Sequence, residues 1–282
     1  MEQHHHERST FSGKLGFVLS AAGASVGLGN IWRFPYLAAK YGGGIFLLIY
    51  IILALTFGYS MIIAETALGR MTKKSPVGAF GKFGKSKWRS FGGWINAIIP
   101  ILIVPYYSVI GGWVIKYLIE YFSGHSKALA GDTYFTSFIS NGISTEICFL
   151  IFTLFTLGII YAGVRNGIER VSKFMMPILI VLSLIIAVYS VTRPGAIEGV
   201  KYFLVPNFEH FSWMTVVSAM GQMFYSLSIA MGILITFGSY MKKDVSIEAS
   251  TGNVEIFDTA IAIMAGLMII PAVFAFTGGD PD

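Results

Sequence analysis

The sequence is poor in charge and nearly free of cysteine. Charged residues make up 12% of its 282 residues, whereas hydrophobic residues make up 55%. A soluble domain carries roughly 25% charged residues, so the deficit favours a protein that lies in a lipid bilayer. The single cysteine, Cys148, can form no internal disulfide, so the cysteine content does not indicate whether the protein faces an oxidising or a reducing compartment.

Long apolar runs are what the sequence has instead. A helix needs about 20 apolar residues to cross the hydrocarbon core, and seven runs approach or exceed that length. They show no period-2 alternation, which favours helices over a β-barrel. The polar N-terminal stretch lacks the apolar core and cleavage site of a signal peptide, so the first run is expected to be kept. We predict a single transmembrane domain, 1–282, with helices at 15–39, 44–69, 91–118, 146–162, 171–191, 212–241 and 248–277.

The basic residues are distributed unevenly among the links. With the N-terminus inside the cell, most of the 20 lysines and arginines fall in cytoplasmic segments, as the positive-inside rule requires. The net charge of +5 is therefore a topology signal, and it does not indicate a nucleic-acid partner. The expected location is the plasma membrane, with several spans and a cytoplasmic N-terminus.

The first apolar run is interrupted by polar and small residues between positions 23 and 35. Glycine costs about 1 kcal/mol relative to alanine in a helix interior. A helix broken here would expose carbonyls to a cation and amides to an anion. Close packing through Gly23 and Gly27 explains the glycines equally well, but it requires neither Asn30 nor Arg33.

The sixth run repeats this anomaly, since hydroxyl and small residues occupy 221–232 in an otherwise apolar span. Paired interruptions in two halves of a chain point to a transport site near the bilayer midplane. Two acids also lie inside spans, Glu65 in the second and Asp258 in the seventh. An acid at the centre of a span costs about 2.5–3.5 kcal/mol, so it usually has a partner or a function. For Asp258 we favour a function; for Glu65 a structural hydrogen bond and a gating role stay equally open.

These residues resemble the neurotransmitter:sodium symporter family in its bacterial, LeuT-type branch. The resemblance runs from about Arg8 to the end and is strongest at 23–44 and at Glu65–Arg70. It implies an all-α integral membrane protein with the LeuT-type inverted-repeat fold. The chain would supply the first five-helix repeat plus helices six and seven, with helices one and six broken, and would be truncated after helix seven.

The resemblance further implies sodium-coupled symport of a hydrophobic or aromatic L-amino acid by alternating access, and no enzyme activity. Sodium is the expected cofactor, at two sites of which the second is incomplete here. The sodium ligands would be Gly23, Ser25, Val26, Asn30, Ser226 and Asp258. The substrate pocket would be formed by Ala24, Ser25, Gly27, Leu28, Gly29, Ile103, Tyr107, Tyr225, Ser226, Ser228 and Met231.

Departures from the family pattern sharpen these expectations. Asp258 stands where an asparagine is usual. It falls in the cluster that binds chloride in eukaryotic members, here Tyr50, Gln222, Ser226 and Asp258, so its charge predicts chloride independence. Gly27 replaces the aspartate of amine transporters, which favours amino acids. Met231 replaces a phenylalanine of some relatives, which favours large side chains.

Gates are also implied by the resemblance. Arg33 would be the extracellular gate, held by Gln222, and Arg8 the cytoplasmic gate, near Tyr240. Gly167 and Pro177 match a family motif at which the fifth helix unwinds to admit water.

Other interpretations remain open from the sequence. The chain could be an inactive fragment of such a transporter, or a complete seven-helix receptor or channel. A receptor should have its N-terminus outside, against the charge bias, and a channel should show a repeated pore-lining element, which we do not find. The expected partners are the amino acid, sodium ions and the bilayer, and a homodimer is left open.

Overall fold

A computed structural model describes residues 10–82, 87–129, 131 and 133–277. Nearly all of the described chain is helical, and an isolated antiparallel bridge joins Gly43 to Pro206. The helices are α1 (Lys14–Ser25), α2 (Gly29–Lys40), α3 (Gly44–Thr72), α4 (Pro76–Gly81), α5 (Lys87–Phe122), α6 (Ser126–Leu129), α7 (Tyr134–Ser140), α8 (Gly142–Tyr161), α9 (Val164–Val191), α10 (Ala196–Leu204), α11 (Trp213–Ser226), α12 (Ile233–Tyr240) and α13 (Ile247–Thr277).

Five of these helices, α3, α5, α8, α9 and α13, are long and apolar enough to cross a membrane. The pair α1 and α2 makes a sixth span that is bent by 50° at a short break. The predicted sixth run is likewise two helices, α11 and α12, separated by the irregular segment 227–232. The structure therefore interrupts the two runs in which the sequence places polar and small residues.

Helix α13 lies at the centre of the described structure. It packs against both halves of the first broken helix, α1 and α2, and against α3, α9 and α10. Its inward face is buried over most of its length and carries Asp258 in the middle. This position brings a polar residue of α13 beside the break between α1 and α2.

Glycines allow α3 and α12 to approach closely. A Cβ at Gly69 would overlap the backbone carbonyl of Ile235, and a Cβ at Gly238 would overlap that of Thr66. Small residues at such contacts let helix backbones pack tightly where lipid gives little hydrophobic driving force. The half-helix α12 is thereby fixed to α3, beyond the break that precedes it.

Three spans contain a π-helical turn, at Gly29–Arg33, Ala54–Gly58 and Val164–Glu169. Such turns insert one extra residue into a helix and are frequent at functional sites. The first begins directly after the break in the first span, and the third begins α9.

Candidate ion and substrate site

The first break frees backbone groups at the end of α1. Val26 has an extended conformation (φ −79°, ψ 111°) and ends the helix. The Gly27 amide donates to the side-chain oxygen Oδ1 of Asn30 at 3.3 Å. This amide would be the α-helical partner of the Gly23 carbonyl, which is thus left without its usual donor and is available to a cation.

The second break is a strained segment. Ser228 and Ala230 have positive φ values of 55° and 62°, and Gly232 has 69°. Non-glycine residues in this conformation cost roughly 1–2 kcal/mol each, so surrounding contacts must hold them there. One such contact comes from α3, because Oε1 of Glu65 accepts the Ala230 amide at 2.7 Å.

A buried polar cluster joins the two breaks to α13. The Asp258 carboxylate accepts hydrogen bonds from the Ser226 hydroxyl at 2.8 and 2.9 Å. It also accepts from the Asn30 side-chain amide at 2.9 Å and from the Tyr50 hydroxyl at 3.0 Å. All four residues are at most 1% exposed. The arrangement satisfies a charge that would otherwise be costly to bury.

The cluster offers the ligands of a hard cation. Ser226 and Asp258 bring side-chain oxygens to it, and oxygen ligands suit hard, compact cations. Asn30 turns its amide nitrogen toward these oxygens, and its Oδ1 faces the Gly27 amide at the first break. The Ser25 hydroxyl is also buried beside the break and has no hydrogen-bond partner. The structure thus places all six predicted sodium ligands at the first break or in the cluster. Asn30, Ser226 and Asp258 form the cluster, and Gly23, Ser25 and Val26 lie on the α1 side of the break.

Gln222 has a different partner from the one predicted. Its Nε2 donates to the Gly29 carbonyl at 2.9 Å, and its buried Oε1 has no partner. Arg33 instead lies over the Tyr225 ring, with Cζ 4.7 Å from the ring centroid. Gln222 therefore fixes the α2 side of the break, while Arg33 stacks on a residue of the predicted substrate pocket.

The predicted substrate residues line the two breaks and one face of α5. Ser228 reaches the Ala24 carbonyl at 3.5 Å, and the Tyr107 and Tyr225 ring centroids are 6.4 Å apart. Ile103 lies one turn before Tyr107 on α5. The other members lie in the breaks or directly beside them: Ser25, Gly27, Leu28 and Gly29 at the first, and Ser226 and Met231 at the second.

The predicted cytoplasmic gate is described only in part. Tyr240 ends α12, and its backbone carbonyl accepts the Phe11 amide at 3.2 Å. Arg8 lies outside the described residues, so its relation to Tyr240 stays a prediction.

Two buried acids have features that the sequence interpretation did not specify. Glu65 makes a structural hydrogen bond, one of the two roles left open for it, and the partner that the sequence did not identify is the Ala230 amide. Glu255 is 3% exposed, its Oε1 has no partner, and it lies three residues before Asp258 on α13. The signal for Glu255 was present, because it is a further acid within the seventh apolar run.

Known proteins similar in sequence to this chain are described as sodium-dependent transporters. The chain is 37% identical to the uncharacterized sodium-dependent transporter YhdH of Bacillus subtilis, over 96% of this chain and 61% of the relative. It is 34% identical to the uncharacterized sodium-dependent transporter MJ1319 of Methanocaldococcus jannaschii, over 98% of this chain and 58% of the relative. The chain thus spans about three fifths of the length of these relatives. The rat sodium- and chloride-dependent taurine transporter is 31% identical over 84% of this chain and 45% of its own length.

A solved structure shares the architecture. The crystal structure of MhsT in complex with L-phenylalanine matches with a TM-score of 0.89 and 38% identity, over 97% of this chain and 63% of that one. The predicted LeuT-type fold, with broken helices one and six, is thereby confirmed. The model of the sodium:neurotransmitter symporter family, whose members are transporters and not enzymes, matches residues 8–130 and 119–279. The chain belongs to the sodium:neurotransmitter symporter family.

Proposed function

We propose that this chain forms the binding core of a sodium-coupled symporter for a hydrophobic or aromatic L-amino acid, working by alternating access. The observation that carries the proposal is the buried cluster in which Asn30, Ser226 and Asp258 join the two helix breaks. Family membership supports the use of sodium. The cluster supports the location of the sodium ion, because the oxygens of Ser226 and Asp258 lie beside the break at which Asn30 Oδ1 and the Gly23 carbonyl are also found.

The first break also suits an amino-acid carboxylate. The Asn30 and Ile31 amides donate to the Gly27 carbonyl, so the amides assigned to an anionic group are those of Leu28 and Gly29 at the start of α2. Such amide ends of a helix favour an anion. A substrate carboxylate held there would lie beside Asn30 and could complete the coordination of the ion. Sodium and amino acid would then stabilise each other's binding, which is the physical basis of coupling.

The predicted pocket favours an amino acid over an amine. Gly27 brings no acid to it, and a Cβ at Gly27 would meet no atom within 4 Å, so the space beside it is open. An amine without a carboxylate would leave the amide ends and the ion without their anionic partner. Tyr107, Tyr225 and Met231 provide apolar and aromatic surface for a large side chain.

Chloride independence is part of the proposal. The hydroxyls of Tyr50 and Ser226 both donate to Asp258, whose carboxylate occupies the centre of the cluster as an anion would. A fixed negative charge at this point removes the need for a mobile one. We further propose that the N-terminus is cytoplasmic in the plasma membrane, because Arg70, Lys173 and Lys242 gather at the end where α1 begins.

Sodium-dependent binding tests the proposal. The purified protein is incubated with tritiated L-phenylalanine in sodium or in potassium, and uptake into proteoliposomes is then measured with and without chloride. We expect binding in sodium alone, and uptake that is unchanged when gluconate replaces chloride. Equal binding in sodium and potassium would overturn the ion site, and loss of uptake without chloride would overturn chloride independence.

A further inference from the structure

One residue of the N-terminal segment is tied to two distant helices at the end of the molecule where α1 begins. The amide of Ser12 donates to Oε2 of Glu169 at 2.9 Å, and its hydroxyl donates to Oε1 of the same carboxylate. Lys173 donates to the Ser12 hydroxyl at 3.1 Å, and Lys242 donates to the Ser12 carbonyl, also at 3.1 Å. Every polar group of Ser12 is therefore bonded to α9 or to the segment after α12.

Glu169 is buried beneath this contact. Its side chain is 2% exposed, and Lys173 one turn later pairs with it at 2.6 Å. A Cβ at Gly16 would overlap the carboxylate, with Oε2 only 2.9 Å away. The carboxylate thus lies against the first turn of α1, where free amides and the helix dipole favour a negative charge.

Phe11 secures the other side of the same segment. Its ring is 1% exposed and packs edge-on against Phe17 of α1 and Phe237 of α12. Its amide donates to the Tyr240 carbonyl at 3.2 Å. Together, Phe11 and Ser12 connect the start of α1 to α9 and α12.

We propose that Glu169 is a positioning residue that locks the cytoplasmic half of the first broken helix, α1, in its closed position. The proposal rests on the alternating-access function proposed above. Helix α1 is joined to α2 by a short break with a 50° bend, so the contacts at its N-terminal end decide whether it stays against α9 and α12. Among these contacts, Glu169 provides the carboxylate, and it accepts both the amide and the hydroxyl of Ser12.

The position of Glu169 also couples α1 to the shape of α9. Glu169 is the last residue of the π-turn Val164–Glu169 that begins α9. Conversion of a π-turn to a regular α-turn removes one residue from the turn and rotates its flanking side chains about the axis by about 100°. Such a rotation would draw the carboxylate away from Ser12 and Gly16. A rearrangement of α9 would thereby release α1.

Distances between two spin labels, measured by double electron–electron resonance, test this lock directly. Spin labels are placed at K14C on α1 and at K74C in the link after α3, in a C148A background of the full protein in nanodiscs. The distance is measured without sodium or substrate in the parent, in Glu169→Gln and Glu169→Ala, and in Gly16→Ala, which displaces the carboxylate sterically. Gly13→Ala is the matched control, because a Cβ there meets no atom within 4 Å.

The population with a long distance between the labels is the one in which α1 has moved away from α9 and α12. We expect it to rise about tenfold in the Glu169 and Gly16 variants, because a charge-assisted hydrogen bond is lost. Gly13→Ala should keep the parent distribution, and Glu169→Asp should restore part of the short-distance population. Unchanged distributions in both Glu169→Gln and Gly16→Ala would overturn the lock. Because the measurement needs no transport, a failure of uptake alone would refute the proposed function and leave the lock standing.

Discussion

The side-chain amide of Asn30 donates twice to Asp258, to Oδ1 at 2.9 Å and to the backbone carbonyl at 3.1 Å. Asn30 lies in the first turn of α2, directly after the first break, and Asp258 lies in the middle of α13, 228 residues away along the chain. Both residues are fully buried. A single amide therefore joins the start of α2 to the central helix. Changes at either residue should weaken sodium binding before they disturb the fold of the other spans.

Replacement of Asn30 by alanine should abolish the sodium response. Alanine removes both an oxygen ligand and the amide that positions the Asp258 carboxylate, and hydrogen bonds to charged groups contribute about 1.5–3 kcal/mol. We expect the sodium concentration for half-maximal phenylalanine binding to rise at least about tenfold. Asn253→Ala, on the same helix α13, is the control and should keep the parent value. An unchanged sodium dependence in Asn30→Ala would show that the ion binds elsewhere.

Replacement of Asp258 by asparagine should create a need for chloride. The carboxylate that accepts from Tyr50 and Ser226 becomes neutral, while their hydroxyls remain able to bind an anion. We expect uptake by Asp258→Asn to fall about tenfold in gluconate and to recover in chloride, because a mobile anion restores the lost charge. Asp244→Asn, at an exposed position, should respond to neither salt. If uptake by Asp258→Asn were the same with and without chloride, the Asp258 carboxylate would not be what replaces a bound chloride ion.

Glu65 should be replaceable by glutamine but not by alanine. Glutamine retains an oxygen that can accept the Ala230 amide, whereas alanine leaves that amide unpaired in the strained break. A buried unpaired donor costs about 1–3 kcal/mol. We expect Glu65→Ala to lower the thermal unfolding midpoint in detergent by about 5 °C and Glu65→Gln to lower it much less. Equal midpoints for the two variants would show that the charge of Glu65, and not its hydrogen bond to the Ala230 amide, determines the stability.

The sequence was sufficient for the features that are local in the chain. Glycines and polar residues at 23–30 and 225–232 predicted both breaks, because such residues are poor in a lipid-facing helix. The buried position of Asp258 followed from the cost of an acid in a span. These inferences needed only neighbouring residues and the bilayer.

Contacts between distant segments could not be predicted in the same way. Glu65 meets Ala230 across 165 positions, and Glu169 meets Ser12 across 157. Nothing in either pair of residue types specifies the partner. The Gln222 side chain shows the same limit, since its Nε2 donates to the Gly29 carbonyl and its Oε1 does not receive the predicted bond from Arg33. The π-turns also escaped prediction, because one inserted residue barely changes an apolar pattern.

The size of the accepted side chain should depend on Met231. This residue lies in the second break, and its unbranched side chain can adopt several shapes around a ligand. Phenylalanine is bulkier and stiffer, so Met231→Phe should weaken binding of tryptophan about tenfold while leucine binding is kept. Met231→Leu, of similar volume, is the control and should preserve both affinities. Unchanged selectivity in Met231→Phe would place this residue outside the pocket.

Gly27 should decide between amino acids and amines. A Cβ there meets no atom within 4 Å, and Gly27 has no positive φ, so an aspartate can be accommodated without backbone strain. Its carboxylate would lie close to the amides that we assign to the substrate carboxylate, and would repel that group while attracting the substrate ammonium. We expect Gly27→Asp to bind 2-phenylethylamine and to lose most of its affinity for L-phenylalanine, measured by competition in sodium. Gly27→Asn has nearly the same shape without the charge. If Gly27→Asn also bound the amine, the switch would be steric, and the inference that the substrate must bring its own carboxylate would fail.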